Sequence, residues 1–136
     1  MRTEQKHKLA QLRHWRLRRK INGTKERPRM SVCFTNKNIH VQFIDDAGGT
    51  TLAAISTRGK DVPDRDRLAA NVASAKIIGK LAAQTALAKG IQTVVFDRGA
   101  SRYHQSAHKG KDGKSTVILG KLATLAQAAR EAGLKF

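Results

Sequence analysis

Three aspartates at the ends of predicted strands are the first residues whose types and spacing suggest chemistry. Asp45 and Asp46 follow the alternating stretch Ile39–Ile44, and Asp97 follows the apolar run Ile91–Phe96. Carboxylates at strand ends are ligands that Mg²⁺ uses when it supports phosphodiester cleavage. Against this interpretation, neighbouring side chains of a strand point to opposite faces, and Asp before a Gly-Gly pair favours a turn by itself. A magnesium-dependent nuclease is therefore the less favoured alternative.

Histidine and cysteine positions suggest a metal or nucleophile site only on first inspection. His104 and His108 have an i, i+4 spacing, but the intervening and following residues do not favour a helix, and no further pair completes four ligands. The stretch Gly110–Ser115 lacks the glycine spacing of a phosphate-binding loop. The sequence therefore predicts no catalytic residue, no metal, no cofactor and no small-molecule substrate. A single cysteine, Cys33, fits a reducing, cytoplasmic environment.

The excess of positive charge is the strongest signal in the composition. The 136 residues contain 27 Lys and Arg against 10 Asp and Glu, a net charge of +17. Residues 1–29 alone hold 11 of these cations against two Glu. Such an excess opposes compaction unless an anionic partner screens it, and no apolar run approaches the roughly 18 residues of a membrane span. A nucleic acid is the expected partner, and RNA is favoured because no DNA-binding helix-turn-helix, zinc finger or zipper is present.

The elements that must position these cations follow from hydrophobic periodicity. Alternation predicts an antiparallel meander of three strands, over Met30–Phe34, Ile39–Ile44 and Thr50–Ser56. A long helix from the acids at 61–64 to Gly90, a strand at Ile91–Phe96 covered on both faces and a helix over Val117–Ala132 are predicted to follow. The fold class is therefore α/β, a single layer of mixed β-sheet in βββαβα order packed by two helices.

The chain divides into two predicted regions at residue 29. Residues 1–29 form a basic arm, helical from about Gln5 to Lys20, and residues 30–136 form the α/β body. Leu9, Leu12 and Trp15 make an apolar stripe that is too thin to dock as a core helix. Trp15 has two open interpretations, since it can anchor the arm to the body or stack on an unpaired base.

Four stretches of the chain resemble, in order and in register, the bacterial family of large-subunit ribosomal protein eighteen, which binds 5S rRNA. They are Lys20–Val32, Thr35–Thr57, Lys89–His104 and Leu125–Phe136. The resemblance implies a cytoplasmic, non-enzymatic ribosomal protein that helps attach 5S rRNA to 23S rRNA in the central protuberance, beside other large-subunit proteins. A general RNA-binding or assembly protein with the same fold is the alternative.

The resemblance also implies which residues face RNA. They lie in the arm, in the Asn-Lys turn with its adjoining strand face, and after the Asp-Arg-Gly motif, whose Asp97 is expected to hold the loop through backbone amides. The predicted RNA-binding residues of these parts are Lys6, His7, Lys8, Arg13, His14, Trp15, Arg16, Arg18, Arg19, Lys20, Arg27, Arg29, Asn36, Lys37, His40, Gln42, Ser56, Thr57, Arg98, Arg102, Tyr103 and His104.

The sequence departs from the family pattern between His104 and the last helix. The Tyr-His-Gly motif of the family is interrupted here, because its glycine corresponds to Gly120 and Gln105–Leu119 are an insertion. This insertion is predicted as a basic loop, in which Lys109, Lys111 and Lys114 either touch phosphates or belong to a mobile surface loop. On the strand face, a family tyrosine is replaced by His40, which changes the contacts available there.

Overall fold

The protein is described from a computed structural model that covers all 136 residues. Its elements in chain order are α1 (Thr3–Arg18), β1 (Arg29–Phe34), β2 (Ile39–Asp45), β3 (Thr50–Ser56), α2 (Val72–Ala88), β4 (Val95–Asp97), β5 (Gln105–Lys109), β6 (Ser115–Leu119) and α3 (Lys121–Glu131). The first four strands form one sheet in the order β3-β2-β1-β4, and β5 and β6 form a separate hairpin. None of the three helices combines the length and apolar character that a bilayer crossing requires.

The four-stranded sheet is mixed, as the sequence predicted. β1 pairs antiparallel with β2 and parallel with β4, so that Met30 lies opposite Phe43 on one side and Phe96 on the other. Alternation along β1 and β2 sends Met30, Val32 and Phe43 into the core. The intervening positions form the opposite, more polar face of the sheet. The prediction of one mixed sheet packed by two helices is confirmed.

Small residues let the two packing helices approach each other closely. A Cβ atom added at Gly79 of α2 would lie 2.5 Å from the carbonyl oxygen of Leu125 in α3. Ala82, Ala83 and Ala129 are completely buried in the same core. The alanine-rich sequence of α2 thus permits an intimate helix pair above the sheet, and Phe136 completes the core by stacking on Phe96 with 5.0 Å between ring centroids.

Three predicted boundaries are wrong. α2 begins after Asn71, whose side chain accepts a hydrogen bond from the Ser74 N–H at 2.8 Å, and not at the acids of residues 61–64. α3 begins at Lys121 because Val117–Leu119 pair with β5 instead of continuing a helix. The strand predicted at Ile91–Phe96 is only β4, Val95–Asp97. It lies at the edge of the sheet, and Val95 and Phe96 are half-buried instead of covered on both faces.

Candidate nucleic-acid interface

Arg29 lies inside the protein, where two carboxylates neutralise it. Its Nε and Nη2 donate to Asp46 at 2.8 and 3.0 Å, and its Nη1 donates to Asp97 at 3.0 Å. The hydrogen bonds to Asp46 raise the pKa of Arg29, and the same bonds hold the pKa of Asp46 well below its usual range. Arg29 is therefore a structural cation.

The three aspartates proposed as magnesium ligands have separate tasks. The Oδ1 atom of Asp45 accepts the backbone N–H groups of Ala47 and Gly48 at 3.0 and 3.1 Å, which closes the turn between β2 and β3. Asp46 and Asp97 are engaged by a guanidinium. Asp45 faces its own turn, and the Arg29 guanidinium already occupies the space between Asp46 and Asp97, so the three carboxylates do not form the open cation site that the nuclease alternative requires.

Asp46 also ties the segment after α1 to the sheet. Its Oδ2 accepts the Gly23 N–H at 2.8 Å, its own N–H donates to the Gly23 carbonyl at 3.0 Å, and its Oδ1 accepts from Arg18 at 3.2 Å. Gly23 fits because a Cβ there would lie 2.3 Å from the Ile44 carbonyl oxygen. The C-terminal end of α1 is therefore fixed to the end of β2, although no residue of α1 is buried.

A groove of about 770 Å³ lies between α1 and the loop that follows β4. Trp15 lines it with 56% of its surface exposed, and the surrounding cations come from both elements. These cations include Arg13 on α1 and Arg98 and Arg102 on the loop. More than half of Trp15 is exposed, so its ring is accessible to a ligand in this groove. The groove offers an aromatic face beside guanidinium groups, the combination that binds unpaired nucleotides.

Asp97 shapes the loop that carries the second wall of this groove. Its Oδ1 accepts the Gly99 N–H at 2.9 Å, and Gly99 adopts a positive φ of 56°. The loop leaves Arg98, Arg102 and Tyr103 exposed. The expected role of Asp97, holding this loop through a backbone amide, is confirmed.

The predicted strand face divides into accessible and inaccessible residues. Gln42 is exposed, and His40 is half-buried with its Nδ1 atom 2.9 Å from Ser56 Oγ. Thr57 is buried, where its hydroxyl accepts the Ile39 N–H and donates to Asn38, each at 3.1 Å. Asn36 and Lys37 are exposed in the turn between β1 and β2.

Arg29 and Thr57 are the two predicted RNA-facing residues that the structure places in the interior. Arg29 is 2% exposed and Thr57 is 1% exposed, and both have internal partners for their polar atoms. We therefore exclude them from the candidate interface. Every other predicted residue is exposed or half-buried, and most of them lie on α1, on the turn after β1 or on the loop after β4.

The basic insertion is a hairpin instead of an irregular loop. β5 and β6 pair from Gln105 opposite Leu119 to Lys109 opposite Ser115. Lys109, Lys111 and Lys114 are exposed around its turn. The structure thus separates these lysines from the groove beside Trp15 as a distinct element.

Gln11 also lines the groove, although it is not among the predicted RNA-binding residues. It precedes His14 and Trp15 by three and four residues, so that all three lie on one side of α1. This spacing is enough to predict from the sequence that Gln11 lies beside His14 and Trp15. Gly99 and Ala100 line the opposite wall, which depends on the path of the loop and has no comparable signal.

The fold and the surface define a class: a small basic α/β protein with exposed cations and aromatic groups and no converging catalytic side chains. The family model for ribosomal L18 of archaea, bacteria, mitochondria and chloroplasts matches residues 4–136. The chain belongs to this ribosomal L18 family.

Similar proteins match over nearly their whole length. Large ribosomal subunit protein uL18 of Alkaliphilus oremlandii is 45% identical over 124 residues, which cover 91% of this chain and 89% of that protein. The uL18 proteins of Gloeothece citriformis and an Exiguobacterium species are each 46% identical, over 93% and 96% of this chain and 93% and 95% of their own lengths. The protein is accordingly a structural constituent of the large ribosomal subunit in the cytoplasmic ribosome, and not an enzyme.

Proposed function

We propose that the protein binds 5S rRNA and helps attach it to 23S rRNA in the central protuberance of the large subunit. The groove between α1 and the loop after β4 is the observation that carries this proposal. Trp15 presents an aromatic face there, and Arg13, Arg98 and Arg102 supply phosphate-binding groups within the same groove.

The distribution of charge supports two RNA contacts on one protein. Residues 1–29 act as a basic RNA-binding arm, and residues 30–136 act as the 5S rRNA-binding body. The arm is fixed at Gly23 and Arg18, yet no residue of its helix is buried. A helix held only at one end can contact RNA on several sides, while the body presents the loop after β4 and the turn carrying Asn36 and Lys37.

Binding to RNA by shape and by charge predicts different responses to salt. Each phosphate neutralised by Lys or Arg releases counterions, so binding based on charge alone weakens steeply as the salt concentration rises. Recognition of a folded RNA adds stacking and shape complementarity, which are less sensitive to salt.

A salt titration with 5S rRNA and a scrambled RNA of equal length tests the proposal. We expect tighter binding to 5S rRNA that persists at high salt. A second titration measures whether the complex with 5S rRNA captures 23S rRNA better than the free protein does. Equal affinities for both small RNAs at every salt concentration would contradict the proposal and favour a general RNA-binding or assembly protein.

A further inference from the structure

The hairpin formed by β5 and β6 has almost no packing of its own. Of its strand residues, only Ser106 and Leu119 are half-buried, and the others are exposed. Val117 and Ile118 are each 51% exposed. An isolated two-stranded hairpin is marginally stable in water. The body therefore contributes little to the stability of this hairpin.

The hairpin leaves and rejoins the body at one point. The Gly120 N–H donates to the His104 carbonyl oxygen at 2.9 Å, directly below the pair formed by Gln105 and Leu119. Gly120 is also the residue before α3, and a Cβ on it would lie 3.1 Å from the Cβ of His104. The body is therefore closed without the hairpin, which is an added unit and not part of the core.

Positive charge is concentrated at the turn of this unit. The Gly110 N–H donates to the Lys114 carbonyl at 3.0 Å, and Gly113 takes a positive φ of 73°, which forms a tight turn. Lys109, Lys111 and Lys114 surround this turn with Asp112 as the only acid, and none of the three lysines forms an ion pair. Three ammonium groups are thus free for an external anion.

We propose that the hairpin is a separate rRNA contact, in which the three lysines of its turn bind backbone phosphates. This inference rests on the proposed rRNA-binding function. Phosphates are the preferred target because residues 105–119 contain no aromatic residue other than His108 with which to stack on a base. Contacts with phosphate carry no sequence information, so the hairpin adds affinity without changing which RNA is chosen.

A protein partner fits the hairpin less well than RNA. Val117 and Ile118 are consecutive in β6, so their side chains point to opposite faces. The larger apolar group, Val117 with Ala107 opposite it and the half-buried Leu119, is smaller than the centre of a typical protein interface. The ammonium groups, by contrast, lie together at the turn.

A triple variant tests the proposal without disturbing the fold. Lys109→Ala, Lys111→Ala and Lys114→Ala remove three exposed side chains that make no hydrogen bond within the protein. Each phosphate contact contributes roughly 0.7 to 0.9 to the slope of log K against log salt. We expect the slope for 5S rRNA or for 23S rRNA to decrease by about 2 to 3 units, with an unchanged preference for 5S rRNA over scrambled RNA.

A matched control separates location from net charge. Lys76→Ala, Lys80→Ala and Lys135→Ala remove the same charge from exposed positions of the body that form no ion pair. We expect a smaller change of slope for this control. A second variant, with residues 105–119 excised so that His104 joins Gly120, is expected to reproduce the triple variant and to keep the melting temperature of the body.

Three outcomes would overturn the proposal. The first is an unchanged salt slope for both rRNAs in the triple variant, and the second is an equal change of slope in the control variant. The third is an excision variant that keeps its affinity for RNA but no longer binds a ribosomal protein. In each case the parent chain still reports on the proposed function, because its preference for 5S rRNA over scrambled RNA is measured independently of the hairpin.

Discussion

The guanidinium of Arg29 lies 3.0 Å from the carboxylate of Asp97, and both side chains are only 3% exposed. The two residues are 68 positions apart in the chain, and their ion pair joins the start of β1 to the end of β4. Asp46, which directly follows β2, accepts two further hydrogen bonds from the same guanidinium. One internal cation therefore holds three strand ends, including the strand end that begins the loop after β4.

Arg29→Met should reduce the free energy of unfolding by about 3–5 kcal/mol, because it leaves a buried carboxylate without its partner. Urea denaturation measures this loss. Arg16→Met is the control, since Arg16 is exposed on α1 and forms no ion pair, and its effect should stay within about 0.5 kcal/mol. Similar stabilities for the two variants would show that the Arg29 contacts contribute little.

Acid should destabilise the protein partly through Asp46. Hydrogen bonds from Arg29 and from the Gly23 N–H hold the pKa of Asp46 below its usual range. Because the folded-state pKa lies below that of the unfolded chain, the contribution of Asp46 is complete above a pH of about 4 and is lost as the pH falls further.

Asp46→Asn should therefore be less stable than the parent near neutral pH, and the difference should narrow on acidification. The free energy of unfolding, measured between neutral and strongly acid pH, checks this. Asp112→Asn changes an exposed residue of the hairpin turn, so its free energy of unfolding should vary with pH in the same way as that of the parent. A constant difference between Asp46→Asn and the parent across this range would contradict the assignment.

Gly23→Ala should destabilise the junction between α1 and the sheet. The new Cβ would lie 2.3 Å from the Ile44 carbonyl oxygen and 2.4 Å from the Arg29 nitrogen, and both are backbone atoms that cannot rotate away. We expect a loss of at least about 2 kcal/mol, near the upper range for overpacking. Gly110→Ala meets its nearest atom at 3.5 Å, so thermal unfolding should distinguish the two variants clearly.

The first three strands were predictable from the sequence, whereas the bounds of β4, the β5–β6 hairpin and the starts of α2 and α3 were not. Alternation along Met30–Phe34 and Ile39–Ile44 has a single explanation, namely one buried face. At α2, the acids before Arg65 are plausible caps, but Asp64 adopts a left-handed conformation and the helix begins only after its N-cap residue Asn71. At α3, the short run Val117–Leu119 fits a helix or a strand by periodicity, and its pairing with β5 decides between them.

The candidate site was predictable in composition but not in detail. Arg29 stands among the cations of the N-terminal region, and nothing local distinguishes it from them. Its partners Asp46 and Asp97 are 17 and 68 residues away, so only the tertiary structure reveals that it is internal. Thr57 is similar, because the partners of its buried hydroxyl, Asn38 and Ile39, are 19 and 18 residues away in the chain.

Trp15 provides the most direct test of the groove beside α1. Trp15→Ala should lower the affinity for 5S rRNA by about 1–3 kcal/mol, the range for losing one base–aromatic stack, and should leave the salt slope unchanged because no charge is removed. The melting temperature should also be unchanged, since no residue of α1 is buried. Leu12→Ala is the matched control, because Leu12 is 39% exposed on the same helix and lies outside the groove.

Arg13→Ala should have the complementary effect, because it removes a charge, and should lower the slope of log K against log salt by about 0.7 to 0.9. Quantitative RNA-binding titrations of all three variants separate stacking from charge, and an unchanged affinity for Trp15→Ala would place the RNA outside this groove.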